Sequence, residues 1–304
     1  MKKKVDRSRL RLVLLTIGAV LFTLFVFLPI LFSFFDGSKA GNVALIPIEG
    51  EITGNGAQGF SASSVSSKDI VEFIEDADKD MQIKVLLLEI NSPGGSAVAS
   101  DEIAAAAKKA KKPVVALIRE AGASGAYWIA SASDHVIANR MSITGSIGVL
   151  SSYLEFSGLM QNYNVSYERL VAGENKDMGT PYKKLTVQEK AIMQQKLDKI
   201  HQFFIEEVAA NRNLEVSTIR KIATGEFFLG VEALELGLVD ELGGKEEAEL
   251  FIQENYGLQE IDYVRYEPQT GFFELFSGVI SKFFFNVGEG IGSMLTSQQF
   301  RVLM

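Results

Sequence analysis

The chain has 304 residues, room for one large or two modest domains, and 47% of them are hydrophobic. It contains no cysteine, which excludes disulfides, thiol nucleophiles and Cys–metal centres, and its two histidines, His135 and His201, argue against a His-rich metal site. The net charge of −8 argues against nucleic acid as a partner.

That charge is unevenly spread. Residues 1–11 hold Lys2, Lys3, Lys4, Arg7, Arg9 and Arg11 against the single acid Asp6, and Leu12–Phe35 follows without one charged side chain. Such an apolar run spans a bilayer with some tilt. The basic flank on its N-terminal side puts residues 1–11 in the cytoplasm and the remainder outside. Ser38-Lys39-Ala40 would pass as a signal-peptide cleavage site, but the run exceeds a usual h-region, so an uncleaved anchor is the preferred reading. The expectation is a single-pass protein of the cell membrane: 1–11 cytoplasmic, 12–35 the anchor, 36–42 a linker, 43–268 the folded body and 269–304 a tail.

Within the body, Val43–Ile48 reads as a strand and Gly50–Ser67, rich in Gly and Ser, as a surface loop. Ile70, Phe73, Ile74 and Ala77 form a helical stripe over Lys68–Asp80. Ile83–Ile90 and Pro113–Ile118 are continuous apolar runs of the kind buried in parallel sheets. Ser96–Lys111 is Ala-rich and helical, Ala123–Ser133 reads as a helix and Val136–Asn139 as a short strand. The repeating strand, turn and helix is the βαβ signature of an α/β protein. Thr186–Arg212 is a long helix with Met193, Leu197, Ile200, Phe204 and Val208 on one face. Leu214–Ala223 and Glu246–Asn255 are further helices around a turn-rich connector, Gly230–Gly244, and Ile261–Tyr266 alternates like an edge strand. In the tail, Phe272, Phe276, Val279, Ile280, Phe283 and Val287 share one helical face. That face packs on the body or a neighbouring subunit, or lies on the bilayer.

Two segments carry chemistry. Ser124, in Gly122-Ala123-Ser124-Gly125-Ala126-Tyr127, presents a hydroxyl at a helix start. Asn91-Ser92-Pro93-Gly94-Gly95 is a turn that exposes backbone N–H groups. A nucleophile and an oxyanion hole are what acyl transfer needs most. The bland alternative for Ser124 is an ordinary helix N-cap. The hydroxyl requires a base. His135 reads as a structural residue at a sheet edge and His201 as a residue on a helix face, which leaves lysine, whose ammonium loses its proton when desolvated. Spacing alone does not choose among Lys176, Lys183 and Lys184.

The motifs, in order, are Asn91-Ser92-Pro93-Gly94-Gly95, Ala123-Ser124-Gly125-Ala126-Tyr127, Thr144-Gly145-Ser146-Ile147-Gly148-Val149 and Gly173-Glu174-Asn175-Lys176-Asp177. Together they resemble the signal peptide peptidase A family of membrane-anchored serine–lysine peptidases. The segment Ala233–Asp240 is similar to the Ala–Gly-Leu-Val pattern of that superfamily. The resemblance covers residues 43–265 and implies a Clp/crotonase-like α/β fold, a repeated ββα superhelix. It implies Ser124 as nucleophile, Lys176 as general base, Ser146 as the group that orients the lysine, and Gly94, Gly95 and Gly125 as oxyanion donors. It also implies apolar extended peptides, such as remnant signal peptides, as substrates. No metal or cofactor is implied. A single motif set leaves it open whether Ser and Lys come from one protomer or from different protomers of a ring, and the resemblance implies a homo-oligomer, a dome-like octamer. Glu174 and Asp177 would raise the pKa of Lys176 if they pointed inward, so both are expected to face solvent. Two other functions compete: a crotonase-type enzyme acting on coenzyme A thioesters, and a non-catalytic membrane scaffold of the same fold.

Overall fold

The computed structural model describes residues 7–27, 41–56 and 64–268. Helix α1 (Arg7–Phe22) runs on into a π-helical turn, Thr23–Phe27. No helix among the described residues is long and apolar enough to cross a membrane. Residues 28–35 of the expected anchor, and the whole expected tail, lie outside the described residues.

Ala40–Glu267 forms a compact unit of its own. Its centre is a sheet of eight strands. One path through it runs β10 (Tyr263–Arg265), β1 (Val43–Glu49), β4 (Val85–Ser92), β5 (Val114–Ala123), β6 (His135–Ala138) and β9 (Glu241–Leu242). Every neighbouring pair on that path is parallel. The crossovers are helices α2 (Ser67–Lys79), α3 (Ala97–Lys109) and α4 (Gly125–Ser131), so the α/β reading holds. The continuous apolar runs follow from burial on both faces. Alternate residues Ala44, Ile46, Ile48, Leu86, Leu88, Ile90, Ala116 and Ile118 enter one core, with α2, α3, α4 and the long helix α6 (Val187–Asn211). Val43, Leu45, Val85, Leu87, Val115 and Leu117 enter the other, against Ala248 and Ile252 of α9 (Lys245–Tyr256).

Strand β5 is longer than its apolar run and serves two partners. Val115–Ile118 pairs with β6, and Ala121–Ala123 pairs with β7 (Ile143–Gly145). Strand β7 in turn pairs antiparallel with β8 (Phe227–Leu229). The supposed loop at 50–67 contains a short parallel pair, β2 (Glu51–Thr53) and β3 (Ser64–Ser66), and Ile52 bridges to Gly95. The remaining helices are α5 (Ser157–Asn162), α7 (Val216–Ile222) and α8 (Gly230–Glu235). Strands β7 and β8 and helix α5 lie where the sequence pattern gave no element, because three to six residues are too short to show a period.

Candidate active site

Ser124 stands at the junction where β5 ends and α4 begins, on the side of the sheet that carries the larger core. Its backbone is at φ 53°, ψ −125°, a conformation that costs a non-glycine residue about 1–3 kcal/mol. Two backbone hydrogen bonds hold it there. The Ser124 N–H donates to the Gly145 carbonyl at 2.8 Å, and the Ser124 carbonyl accepts from the Trp128 N–H at 3.0 Å. Its side chain makes no cap hydrogen bond, so the ordinary N-cap reading does not describe this serine. Helix α4 is fixed from below by the buried Tyr127 hydroxyl, which donates to the Leu238 carbonyl at 2.8 Å, and burial raises the pKa of that phenol.

The three glycines are close to Ser124 and to one another. A Cβ on Gly94, whose φ is +99°, would lie 2.9 Å from the Ser124 Cβ and 2.7 Å from the Gly125 nitrogen. A Cβ on Gly125 would meet Ser100 Oγ at 2.2 Å, and one on Gly95 would meet the Ile52 carbonyl oxygen at 2.1 Å. Only a residue without a side chain fits these approaches. Their N–H groups differ. Gly94 N–H donates to Ser92 Oγ at 3.1 Å, and that hydroxyl donates onward to the Gly50 carbonyl at 2.6 Å. Among the described residues nothing accepts from the N–H of Gly95 or Gly125. Gly94 therefore supplies room, while Gly95 and Gly125 supply the open donors.

Ser146 follows β7 at φ 50°. Its N–H donates to the Glu226 carbonyl at 2.9 Å and its hydroxyl to the Gly225 carbonyl at 3.2 Å. Ser124, Gly95, Gly125 and Ser146 all line one cleft of about 860 Å³. Its apolar wall is Trp128, Leu197, Ile200 and Phe204, with Trp128 and Phe204 stacked at 4.8 Å between ring centroids. The α6 face read from the sequence is thus the floor of this cleft. His201, on the same face one residue beyond Ile200, also lines it, and its Nε2 lies 3.2 Å from the Ile147 carbonyl. The spacing of Leu197, Ile200 and Phe204 marked an apolar helix face, but not that this face, with His201, borders Ser124. His135 lies elsewhere, stacked on Phe251 at 3.6 Å with its Nε2 3.2 Å from Glu241.

Lys176 is not among the residues lining the cleft. It lies exposed in an excursion from the body in which none of residues 150–188 is buried. Lys183 is tied down, 2.6 Å from Glu189 Oε1 and 3.3 Å from Asp177 Oδ1. The hydrogen bond to Glu189, with that to Asp177, keeps its pKa above the ordinary lysine value, which unsuits it as a base. Asp177 does not face solvent as expected. Its carboxylate is turned onto Arg169 and Lys183, and its side chain is 11% exposed.

The pattern of peptidase family S49 matches residues 106–259. A putative protease of Methanocaldococcus jannaschii is 32% identical over 268 residues, 86% of this chain and 84% of that protein. A putative signal peptide peptidase SppA of Enterococcus faecium is 30% identical over 77% of this chain and 70% of its own length. Protease 4 of Haemophilus influenzae is 33% identical over 68% of this chain, but the match spans 33% of that longer protein. The α/β body with its central sheet fits the Clp-like fold of such peptidases. On these matches the chain belongs to peptidase family S49, with the signal peptide peptidase SppA and protease 4 enzymes.

Proposed function

We propose that this serine peptidase works with a Ser124/Lys176 dyad, is anchored by residues 12–35, and cuts apolar extended peptides such as remnant signal peptides at the outer face of the cytoplasmic membrane. The observation that carries the nucleophile is the Ser124 hydroxyl, uncommitted to a cap, in a cleft with the open N–H groups of Gly95 and Gly125. Ser124 Oγ attacks the scissile carbonyl carbon as Lys176 Nζ takes its proton. The oxyanion accepts from Gly95 and Gly125, and the proton passes to the leaving amine as the acyl-enzyme forms. A water then attacks the ester and frees Ser124. The apolar floor formed by Leu197, Ile200 and Phe204 suits apolar side chains, and an extended substrate binds by strand addition.

The base comes from a second copy of the chain. Supporting this, Lys176 stands outside the Ser124 cleft, and its excursion exposes Leu150, Leu154, Leu159, Tyr163, Val165 and Leu170. Apolar groups in that number mark a subunit contact. A ring of such contacts gives the homo-oligomer, an octamer, of subunits that each carry the repeated ββα superhelix of the Clp/crotonase-like fold.

Treating the full chain with a fluorophosphonate probe tests the nucleophile. Labelling should appear on wild type and vanish in Ser124→Ala. A serine elsewhere carrying the label sinks the assignment.

A further inference from the structure

The excursion that carries Lys176 has no core of its own, and a chain of charges takes the place of one. Arg169 grips Asp177 with both arms, Nε to Oδ2 at 2.7 Å and Nη2 to Oδ1 at 2.8 Å. The same Nη2 donates to the Glu174 carbonyl at 2.8 Å, so the turn is held on both sides of Lys176. Asp177 Oδ1 also receives Lys183, 3.3 Å away, and Lys183 continues to Glu189 Oε1 at 2.6 Å. Glu189 is 4% exposed, the first buried residue after the excursion, and its Oε2 accepts the Thr186 N–H at 2.8 Å. It thereby closes the capping box of α6, the helix that floors the Ser124 cleft. The relay therefore runs from the first turn of the helix that lines the active-site cleft to the residue beside Lys176.

The placement has an electrostatic consequence. A carboxylate next to a lysine stabilises its ammonium and opposes the neutral form that a base must adopt. We infer that Arg169 and Lys183 are positioning residues for the reaction. They occupy the Asp177 carboxylate, fix the turn, and so keep Asp177 from acting as counter-ion to Lys176. This rests on the reading of Lys176 as the base. The hydrogen bond from Arg169, with that from Lys183, holds the Asp177 carboxyl well below the usual carboxylate range, so its charge persists at every working pH. The other charged groups of the excursion near this turn, Glu168, Glu174 and Lys184, have exposed side chains.

The test is the pH dependence of kcat/KM for the full chain on a fluorogenic apolar peptide. Arg169→Ala should move the rising limb to higher pH. On that limb turnover should fall about 3–10-fold, recovering on the alkaline plateau. Adding Asp177→Asn should return the limb to its wild-type position, and Arg169→Lys should give a partial shift. A purely structural role would lower turnover equally at all pH, and that result overturns the inference, as does a shift that survives Asp177→Asn. Lys176→Ala separates the two readings. Near-normal turnover in that variant sinks the base assignment itself. An inactive Lys176→Ala beside an unmoved Arg169→Ala limb sinks only the role of the relay.

Discussion

At Ser124 the backbone conformation is held against its own preference by a hydrogen bond donated to the Gly145 carbonyl and one accepted from the Trp128 N–H. Glycine adopts such angles freely, so Ser124→Gly should stabilise the body by about 1–2 kcal/mol while abolishing hydrolysis, as urea unfolding and a peptide assay would show. Unchanged or lower stability would mean that the angles store no strain. Gly94→Ala acts in the opposite direction. It places a Cβ at φ +99° within 2.9 Å of the Ser124 Cβ, so activity should be lost along with about 2–3 kcal/mol of stability. Ser146→Ala leaves the reacting atoms in place and removes the hydrogen bond to Gly225, so a milder loss of about 10–100-fold in kcat is expected. That Ser124 and the glycines lie together was legible in the sequence, because only glycine permits these close approaches and the two Gly-containing turns stand at the ends of adjacent strands. The division of labour between Gly94 and Gly95 was not legible, since it depends on which N–H the Ser92 hydroxyl takes.

Elements differ in what fixes them. The end of α6 is joined to the sheet by Arg212, whose guanidinium meets Asp240 at 2.5 and 2.9 Å and the Gly237 carbonyl at 3.1 Å. Burial alone would raise the Asp240 pKa, but the Arg212 hydrogen bond and charge, with the Val136 N–H, together outweigh it and the net shift is downward. Asp240 also accepts the Val136 N–H, so Arg212→Ala strands a half-buried carboxylate and should destabilise by about 2–3 kcal/mol in thermal or urea melts. The excursion has a different acid sensitivity. The pKa values of Asp177 and Glu189 are depressed by Arg169 and Lys183, so the order they confer is complete above about pH 4, the unfolded carboxylate value, and fades as pH falls through the folded values. Hydrogen exchange should show residues 169–189 loosening in acid before the sheet does. Simultaneous loss would contradict this. The long helices were readable from their stripes and the long strands from their apolar runs, whereas β7 and β8, which hold Ser124 and Ser146 in place, owe their existence to partners across the sheet.

For the whole molecule, the sharpest expectation concerns how the dyad is assembled. If one copy supplies Ser124 and another Lys176, mixing inactive Ser124→Ala with inactive Lys176→Ala should restore activity, at about a quarter of the sites for random ring assembly. A mixture as inactive as its components would place both residues in one subunit.

The amino-acid sequence determined the order of strands and helices, because apolar runs and helical stripes are local, and it determined the family, because the serine, glycine and lysine motifs stand in a fixed order. Tertiary structure decided the rest. That Leu197, Ile200, His201 and Phe204 floor the cleft depends on where α6 lands. That Asp177 turns away from solvent depends on Arg169 and Lys183 meeting it there. The first joins elements distant along the chain and the second closes an irregular loop, and in both the geometry is set by packing and electrostatics, which no helical or strand period encodes.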